Sequence, residues 1–248
     1  MSRIVLTAAS RVGCIRSNNE DMVLAYDKFV RSDAYRTEFM TENNERFVIA
    51  LADGMGGHRA GEVASEQTLN SLKFFINDIP RGMETGEFEE TMIEWLAFIN
   101  DTINRQGHSD PTLLEMGTTL VGVIYYGGKY FWLNCGDSRL YRLRDGKLTQ
   151  LTTDHSLSNV KGEKKHSNII TNCIGEGCMD SYLDMYEFSA DFKSGDTYML
   201  CSDGLNDMVS FEDIEKLMNE GSSANRLCEA AIEAGGYDNV SVCVFKVE

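Results

Sequence analysis

Four aspartates stand at the ends of apolar, strand-like runs, and each is followed at once by a small or turn-forming residue. Asp53 follows the apolar run 47–52, and Asp137, Asp203 and Asp238 have comparable positions. A carboxylate at a strand end points in a fixed direction but can still be reached by solvent. Several that converge repel one another strongly unless cations lie between them. The pattern therefore predicts a site with oxygen ligands for a hard metal such as magnesium, manganese or calcium.

The composition and net charge of the chain limit what it can bind. Its 248 residues are 42% hydrophobic, enough for a substantial core, and carry a formal net charge of -16. This charge argues against nucleic acid and anionic membranes as partners, because proteins that bind them normally present a basic face. The N-terminus does not resemble a signal peptide, and no apolar run approaches the roughly 18 residues of a membrane span. We expect residues 1–248 to form a single, monomeric, cytoplasmic domain.

The hydrophobic pattern changes from helical in the first half of the chain to β-rich in its centre. Apolar residues recur at helical spacing over 60–79 and 86–105, which predicts two helices. Residues 118–151 contain four short β-rich runs separated by glycine-containing turns, which is typical of an antiparallel meander. The other expected elements are strands at 4–10, 22–29, 46–52, 183–189, 197–201 and 240–247, helices at 211–219 and 223–234, a loop or hairpin tip at 31–45, and a loop at 155–168. We predict an α+β fold of two packed antiparallel sheets covered by helices.

Two local sequences carry the candidate chemistry. The glycine at position 54 allows its carbonyl oxygen to approach a cation beside Asp53, although Asp-Gly is also a common turn. Arg16 lies shortly before two adjacent carboxylates, and a guanidinium forms bidentate, charge-assisted bonds with a phosphate dianion. A solvated ion pair on a surface loop is the alternative for this segment. Arg139 could hold a phosphate in the same way, but an arginine just past a turn is more often structural.

Seven short motifs occur in order between residues 16 and 239, and the resemblance that they carry extends over nearly the whole chain, from about residue 3 to 247. They are Arg16-Ser-Asn-Asn-Glu20-Asp21, Asp53-Gly-Met-Gly-Gly, Gly117-Thr-Thr, Gly136-Asp-Ser-Arg139, Asp154-His-Ser, Ser202-Asp-Gly204 and Asp238-Asn239. In this order they resemble the metal-dependent Ser/Thr protein phosphatases of the PPM or type 2C family, and the compact bacterial members most of all. The resemblance implies a four-layer α-β-β-α sandwich with a binuclear Mn²⁺ or Mg²⁺ centre.

The resemblance also implies which residues hold the metal ions. Asp53 would bridge two ions, and Asp203 and Asp238 would complete the protein ligands of the first. Glu20 and the Gly54 carbonyl would serve the second ion, partly through water.

The remaining motif residues would act around the two ions. Asp137 would help to hold a third, weaker ion together with Asp203. Asp21 would orient metal-bound water, and Arg16 would hold the substrate phosphate. Asn239 would support the aspartate that precedes it.

The implied reaction is hydrolysis of phosphoserine or phosphothreonine in proteins by a metal-activated water, without a phospho-enzyme. The substrates would be phosphorylated proteins, and a bacterial Ser/Thr kinase would be the cognate partner. Two alternatives remain: a regulatory module of this fold without turnover, and another two-metal phosphoesterase that acts on nucleotides or nucleic acid. The full set of carboxylates argues against the first, and the charge of -16 argues against polyanionic polymers as substrates. None of the seven cysteines begins a phosphate-cradling loop.

The sequence departs from the family in two places. Met55 stands where many members have a histidine that is proposed as the general acid. His58 is nearby but at a different offset, and a metal-bound water could protonate the leaving group instead. The flap between Asp154 and Asn168 has only 13 residues and is basic, so it either attracts phosphorylated substrates or is a solvated loop. Its basic residues are Lys161, Lys164, Lys165 and His166.

Overall fold

The structure is a computed structural model that describes residues 2–41, 45–56, 60–161 and 169–248, with only the backbone of Lys161. The strands are β1 (Arg3–Arg11), β2 (Met22–Ala25), β3 (Lys28–Val30), β4 (Ala34–Met40), β5 (Arg46–Ala52), β6 (Gly54–Met55), β7 (Gly117–Thr118), β8 (Leu120–Tyr126), β9 (Lys129–Cys135), β10 (Arg139–Arg144), β11 (Lys147–Gln150), β12 (Ile174–Gly175), β13 (Asp184–Glu187), β14 (Thr197–Cys201) and β15 (Val240–Val247). The helices are α1 (Ala60–Asp78), α2 (Thr85–Ser109), α3 (Leu157–Lys161), α4 (Asp203–Asn206), α5 (Phe211–Asn219) and α6 (Ala224–Glu233).

Two six-stranded sheets form the centre of the molecule. The first sheet has the strand order β11-β10-β14-β15-β1-β4, and the second has β13-β9-β8-β5-β2-β3. Helices α1 and α2 cover the second sheet, whereas α5 and α6 cover the first. Neighbouring strands are antiparallel throughout the described residues. The predicted α-β-β-α sandwich is therefore confirmed.

Strand β5 shows why the second sheet lies in the interior of the sandwich. Every residue from Phe47 to Ala52 is buried, because the two faces of the strand contact different layers. Phe47, Ile49 and Leu51 lie in the core between the sheets. The alternate residues 48, 50 and 52 lie in the core beneath α1 and α2. This two-residue period explains the continuous apolar run that precedes the first strand-end aspartate.

A third, small sheet connects the end of β5 to two other segments. Its order is β12-β7-β6, with Gly54 opposite Thr118 and Ile174 also opposite Thr118. The sheet thereby brings the residue after Asp53 close to the segment that follows the flap. Neither β6 nor β12 was expected, because two-residue strands leave no period in a sequence.

Three predicted segments differ from the structure. The predicted strand 22–29 is the start of a hairpin, because Tyr26 adopts a left-handed conformation (φ 64°) and turns the chain between β2 and β3. The predicted loop 31–45 contains β4, whose alternate residues are exposed at the edge of the first sheet. The predicted loop 155–168 contains α3, and residues 162–168 lie outside the described ranges. The polar composition of β4 is typical of an edge strand and conceals its pairing with β1.

Within the described ranges, none of the helices combines the length and the apolar character that crossing a membrane requires.

Candidate metal centre

The predicted site residues come from the ends of strands in both sheets. Glu20 lies in the connection from β1 of the first sheet to β2 of the second, and Asp53 directly follows β5. Asp203 follows β14, and Asp238 precedes β15. A cavity of about 450 Å³ lies where these ends meet; it is lined by Arg16, Glu20, Asp53, Gly54, Met55, Gly56, Ile169, Ile170, Glu176, Asp203 and Asp238. The structure thus places six of the predicted site residues on the wall of one cavity.

Backbone contacts that only glycine permits hold Asp53 in place. A Cβ atom on Gly54 would lie 2.2 Å from the carbonyl oxygen of Gly61, so the first turn of α1 packs directly against β6. The backbone N–H of Asp53 donates to Thr119 Oγ1 (3.1 Å). The Asp53 carbonyl accepts hydrogen bonds from Thr118 Oγ1 and from the Thr119 N–H, both at 2.9 Å. Three hydrogen bonds with Thr118 and Thr119 therefore fix the backbone of Asp53.

Asp203 and Asp238 are brought together by a similar close approach. A Cβ atom on Gly204 would lie 1.9 Å from the carbonyl oxygen of Asn239. Helix α4 can begin against the start of β15 only because this glycine follows Asp203. Sequence reasoning did not predict α4, whose four residues are too few for a helical period to be visible.

Asn239, which was expected to support Asp238, contacts it through the backbone. Only its backbone N–H donates to Asp238 Oδ1 (2.8 Å). The side chain instead accepts a hydrogen bond from the Glu20 N–H (2.8 Å) and donates to the carbonyls of Val12 and Asn18. It therefore closes the loop that carries Arg16 and Glu20.

Arg31 and Ser65 form a second support for the Glu20–Asp21 pair. Arg31 Nε donates to the Asp21 carbonyl (3.1 Å), and its Nη2 donates to Ser65 Oγ (2.9 Å). Ser65 Oγ donates in turn to the Glu20 carbonyl (2.5 Å). Sequence reasoning missed both residues, because Arg31 lay in a predicted loop and Ser65 on a predicted helix without a recognisable motif.

Asp21 and Asp137 lie behind the cavity wall. Asp21 is fully buried, and its Oδ2 accepts a hydrogen bond from Ser202 Oγ (2.8 Å). Burial raises the pKa of Asp21 to about 6. Asp137 is also buried, and burial together with Asp154 raises its pKa to about 6.

Their surroundings oppose ionisation of Asp53 and Asp203, the two central aspartates of the site. Burial, reinforced by Asp21 and Asp203, raises the pKa of Asp53 well above its usual range. Burial and then Asp137 raise the pKa of Asp203 to about 8. Both carboxylates are surrounded by protein atoms, yet each keeps some access to the solvent of the cavity. Such a cluster loses stability when fully ionised, and cations relieve that repulsion.

Two carboxylate oxygens show that the residues fit a metal ion. Glu20 Oε1 and Asp21 Oδ1 are buried and have no hydrogen-bond donor, which is costly unless a cation or its water satisfies them. The wall residues offer carboxylates and a backbone carbonyl, the donors that magnesium and manganese prefer. Among the described side chains, no group of three Asp, Glu, His or Cys residues has the spacing of a formed metal-ligand cluster. The carboxylates therefore surround the cavity and do not fill it.

The two candidate phosphate-binding arginines have different surroundings. Arg16 Nη2 lies 2.7 Å from Asp238 Oδ2, and both side chains are about half exposed, at 53% and 40%. Arg139 is mostly buried and forms a forked pair with Asp154, with distances of 2.6 to 3.0 Å. The structure thus gives Arg139 the structural role and leaves Arg16 on the cavity wall.

Residues that follow the flap also line the cavity, and sequence reasoning assigned them no role. Ile169, Ile170 and Glu176 face the carboxylates from the side of β12. Burial raises the pKa of Glu176. No histidine belongs to the part of the wall that the described residues form, where Met55 occupies the expected position. His58, Lys164, Lys165 and His166 lie outside the described residues.

The fold and the site together define a class of protein: an α-β-β-α sandwich of two antiparallel sheets with a carboxylate-lined cavity where the strand ends meet. A family model described as "Protein phosphatase 2C" matches residues 25–232, and the chain belongs to this family. The resemblance that the seven motifs indicated is therefore confirmed.

Similar proteins are bacterial. The chain is 34% identical to the serine/threonine protein phosphatase PstP of Mycobacterium tuberculosis, over 100% of this chain and 46% of PstP. It thus spans about half the length of that relative. It is 33% identical to the serine/threonine phosphatase stp of Listeria welshimeri, over 82% of this chain and 85% of stp. The solved catalytic domain of PstP in complex with two manganese ions superposes with a TM-score of 0.75 at 34% identity, covering 100% of this chain and 99% of that one.

Proposed function

We propose that residues 1–248 form a single phosphatase domain that hydrolyses phosphoserine and phosphothreonine in proteins at a binuclear Mn²⁺ or Mg²⁺ centre. The main support for this proposal is one cavity. It is lined by Arg16 and by the carboxylate residues Glu20, Asp53, Asp203 and Asp238. A cation-binding surface beside a guanidinium suits a phosphate dianion. The serine/threonine phosphatase PstP, and its catalytic domain in complex with two manganese ions, support the same chemistry.

Each wall residue has a definite part in this proposal. Asp53, Asp203 and Asp238 would hold one ion, and Asp53, Glu20 and the Gly54 carbonyl would hold the other. When bound, the two ions would supply an activated water nucleophile and neutralise charge on the phosphoryl group.

Other residues would bind the substrate and order the site. Arg16 would leave Asp238 and bind the phosphate, since an exposed ion pair contributes only about 0–1 kcal/mol. The unpartnered Oδ1 of Asp21 would accept a hydrogen bond from water beside Asp53 and so orient it. Asp137, together with Asp203, would hold a third and weaker ion.

We further propose that the domain acts as a monomer in the cytoplasm on phosphorylated proteins, and that it reverses a cognate Ser/Thr kinase. The net charge of -16 supports substrates other than nucleic acid or membranes. The relatives named as serine/threonine phosphatases support a protein substrate.

The direct test is hydrolysis of a phosphothreonine peptide with manganese and after chelation, for the wild-type protein and for Asp53→Asn. We expect turnover only with manganese, and none for Asp53→Asn at the same manganese concentration, because the substitution removes the ligand common to both ions. Asp101→Asn, at an exposed acidic residue of α2 that pairs with Arg105, is the matched control and should behave as wild type.

Activity that survives chelation, or that Asp53→Asn leaves unchanged, would contradict the two-metal mechanism. Faster hydrolysis of nucleotides than of the phosphopeptide would favour the other phosphoesterase chemistry instead.

A further inference from the structure

His155 is a buried histidine, 5% exposed, whose two ring nitrogens are both engaged. Its Nδ1 accepts a hydrogen bond from the backbone N–H of Gly136 (3.1 Å) and lies 2.8 Å from the side-chain nitrogen of Asn172. Its Nε2 lies 2.9 Å from Asp184 Oδ2. Since Nδ1 accepts from a backbone N–H, Nε2 carries the proton and donates it to Asp184. The Asp184 carboxylate thus fixes both the tautomer and the direction of the ring.

The backbone of His155 binds the same two segments as its ring. Its N–H donates to the Gly136 carbonyl (2.9 Å), and its own carbonyl accepts from the N–H of Thr171 (2.8 Å). The preceding residue, Asp154, forms a forked ion pair with Arg139. Residues 154 and 155 therefore hold the turn from Gly136 to Arg139 at both of its ends.

This turn lies directly against the centre of the candidate site. A Cβ atom on Gly136 would lie 2.6 Å from Thr119 Cβ, and Ser138 Oγ is 2.8 Å from Thr119 Oγ1. Thr119, together with Thr118, holds the backbone of Asp53. Asp137, inside the turn, is buried, and its charge contributes to the raised pKa of Asp203.

We propose that His155 is a positioning residue that fixes the direction of Asp137 and joins its turn to residues 169–175 after the flap. It acts through the Gly136 backbone and through Asn172, and it touches neither the substrate nor the carboxylates on the cavity wall. The inference rests on the proposed function in one respect. The consequence of positioning Asp137 is that it can help to bind the third and weakest metal ion.

The experiment compares substitutions that remove different ring contacts. His155→Leu removes the hydrogen bonds of both ring nitrogens. His155→Asn keeps an amide oxygen near the place of Nδ1, where it can accept from the Gly136 N–H, whereas His155→Gln reaches only toward Asp184. Asp137→Asn is the reference for loss of the carboxylate. His108→Leu, at an exposed histidine near the end of α2, is the control for the change of residue type.

The main measurement is the manganese-binding isotherm by calorimetry. For His155→Leu and His155→Gln we expect the weakest ion to bind about tenfold more weakly, as for other residues that orient metal ligands. The tighter ions should be unaffected, and His155→Asn and His108→Leu should match wild type. In the metal-free protein, the Gly136 amide should exchange faster with solvent in His155→Leu than in His155→Asn. With the phosphopeptide, kcat should fall in His155→Leu while KM stays unchanged.

Each opposite result would overturn the proposal. A His155→Leu protein that binds manganese with the same isotherm as wild type would do so. An Asp137→Asn protein with unchanged manganese binding would do so as well. If His155→Leu fails to fold, equal effects of the Asn and Gln substitutions would still contradict it. A wild-type protein that binds manganese but hydrolyses no phosphopeptide would overturn the proposed function and leave the isotherm comparison valid.

Discussion

At the scale of single residues, Arg16 and Asp238 are paired in the structure although each is proposed to bind something else. Their side chains lie 2.7 Å apart, and both are about half exposed to solvent. Asp238 raises the pKa of Arg16, so the guanidinium stays charged. Because an exposed pair of this kind is weak, a cation at Asp238 and a phosphate at Arg16 can replace it. The pair keeps Arg16 pointed toward the cavity until then.

We predict that Arg16→Ala weakens substrate binding more than turnover. Loss of a charge-assisted bond to phosphate should raise KM for a phosphothreonine peptide by about tenfold, equivalent to about 1.4 kcal/mol. The effect on kcat should be smaller, because the bond is already made in the ground state. Steady-state kinetics at saturating manganese measures both constants.

Two further substitutions sharpen this test. Arg16→Lys keeps the charge without the fork and should give an intermediate KM. Arg105→Ala, at an exposed arginine of α2, should change neither constant. An unchanged KM for Arg16→Ala would count against its role in holding the phosphate.

At the scale of elements, the site depends on places where two backbones touch without side chains between them. The start of α1 meets β6 at Gly54 and Gly61, and the start of α4 meets β15 at Gly204. At each of these contacts a Cβ atom would overlap a backbone atom that cannot move independently. The glycine after Asp53 therefore serves close packing, in addition to the access to a cation that is proposed for it.

We predict that Gly204→Ala destabilises the protein by about 1–3 kcal/mol, the usual cost of forcing extra atoms into a packed interior. The new methyl group would push α4 away from Asn239 and carry Asp203 with it, so manganese affinity should fall as well. Urea unfolding of the metal-free protein and calorimetry with manganese measure the two effects.

Gly86→Ala is the matched control for this substitution. Gly86 lies on the exposed face of α2 with open space around it. Alanine there should stabilise the helix by up to about 1 kcal/mol. Equal effects of the two substitutions would contradict the close-packing argument.

At the scale of the whole molecule, the candidate site joins the two sheets at one edge of the sandwich. Asp203 and Asp238 lie next to strands of the first sheet, Asp53 follows a strand of the second, and Glu20 lies in the connection between the two sheets. Without cations, the repulsion among these carboxylates adds to that of a chain with a net charge of -16. Ions that bind between them should therefore stabilise the contact between the sheets.

We predict that manganese reverses the order of stability of the wild-type protein and Asp53→Asn. Without metal, the substitution removes one of the repelling charges and should leave the protein at least as stable as wild type. With free manganese at 100 times its dissociation constant, wild type should gain about 2.7 kcal/mol. Thermal unfolding, with sodium chloride at equal ionic strength as the control for screening, measures both. Equal gains for the two proteins would show that manganese acts only by screening.

The sequence alone predicted the elements with long, regular patterns. Strand β5 and the helices α1 and α2 were predicted to within a few residues, because a buried run or a helical period extends over many positions. Strand β4 was missed, since half of its residues face solvent at the sheet edge. The division of 22–29 into a hairpin was missed because it depends on the left-handed conformation of a single residue, Tyr26.

The amino-acid sequence by itself determined the order of the motifs, the identity of the candidate ligands and the family to which the chain belongs. Only the tertiary structure decided which residues support them. Asn239 binds the backbone of Glu20 from 219 residues away, and Ser202 binds Asp21 from 181 residues away. Such hydrogen bonds form because β1 pairs with β15 across the whole length of the chain. A contact created by distant strands leaves no local pattern, whereas a strand end or an Asp-Gly pair does.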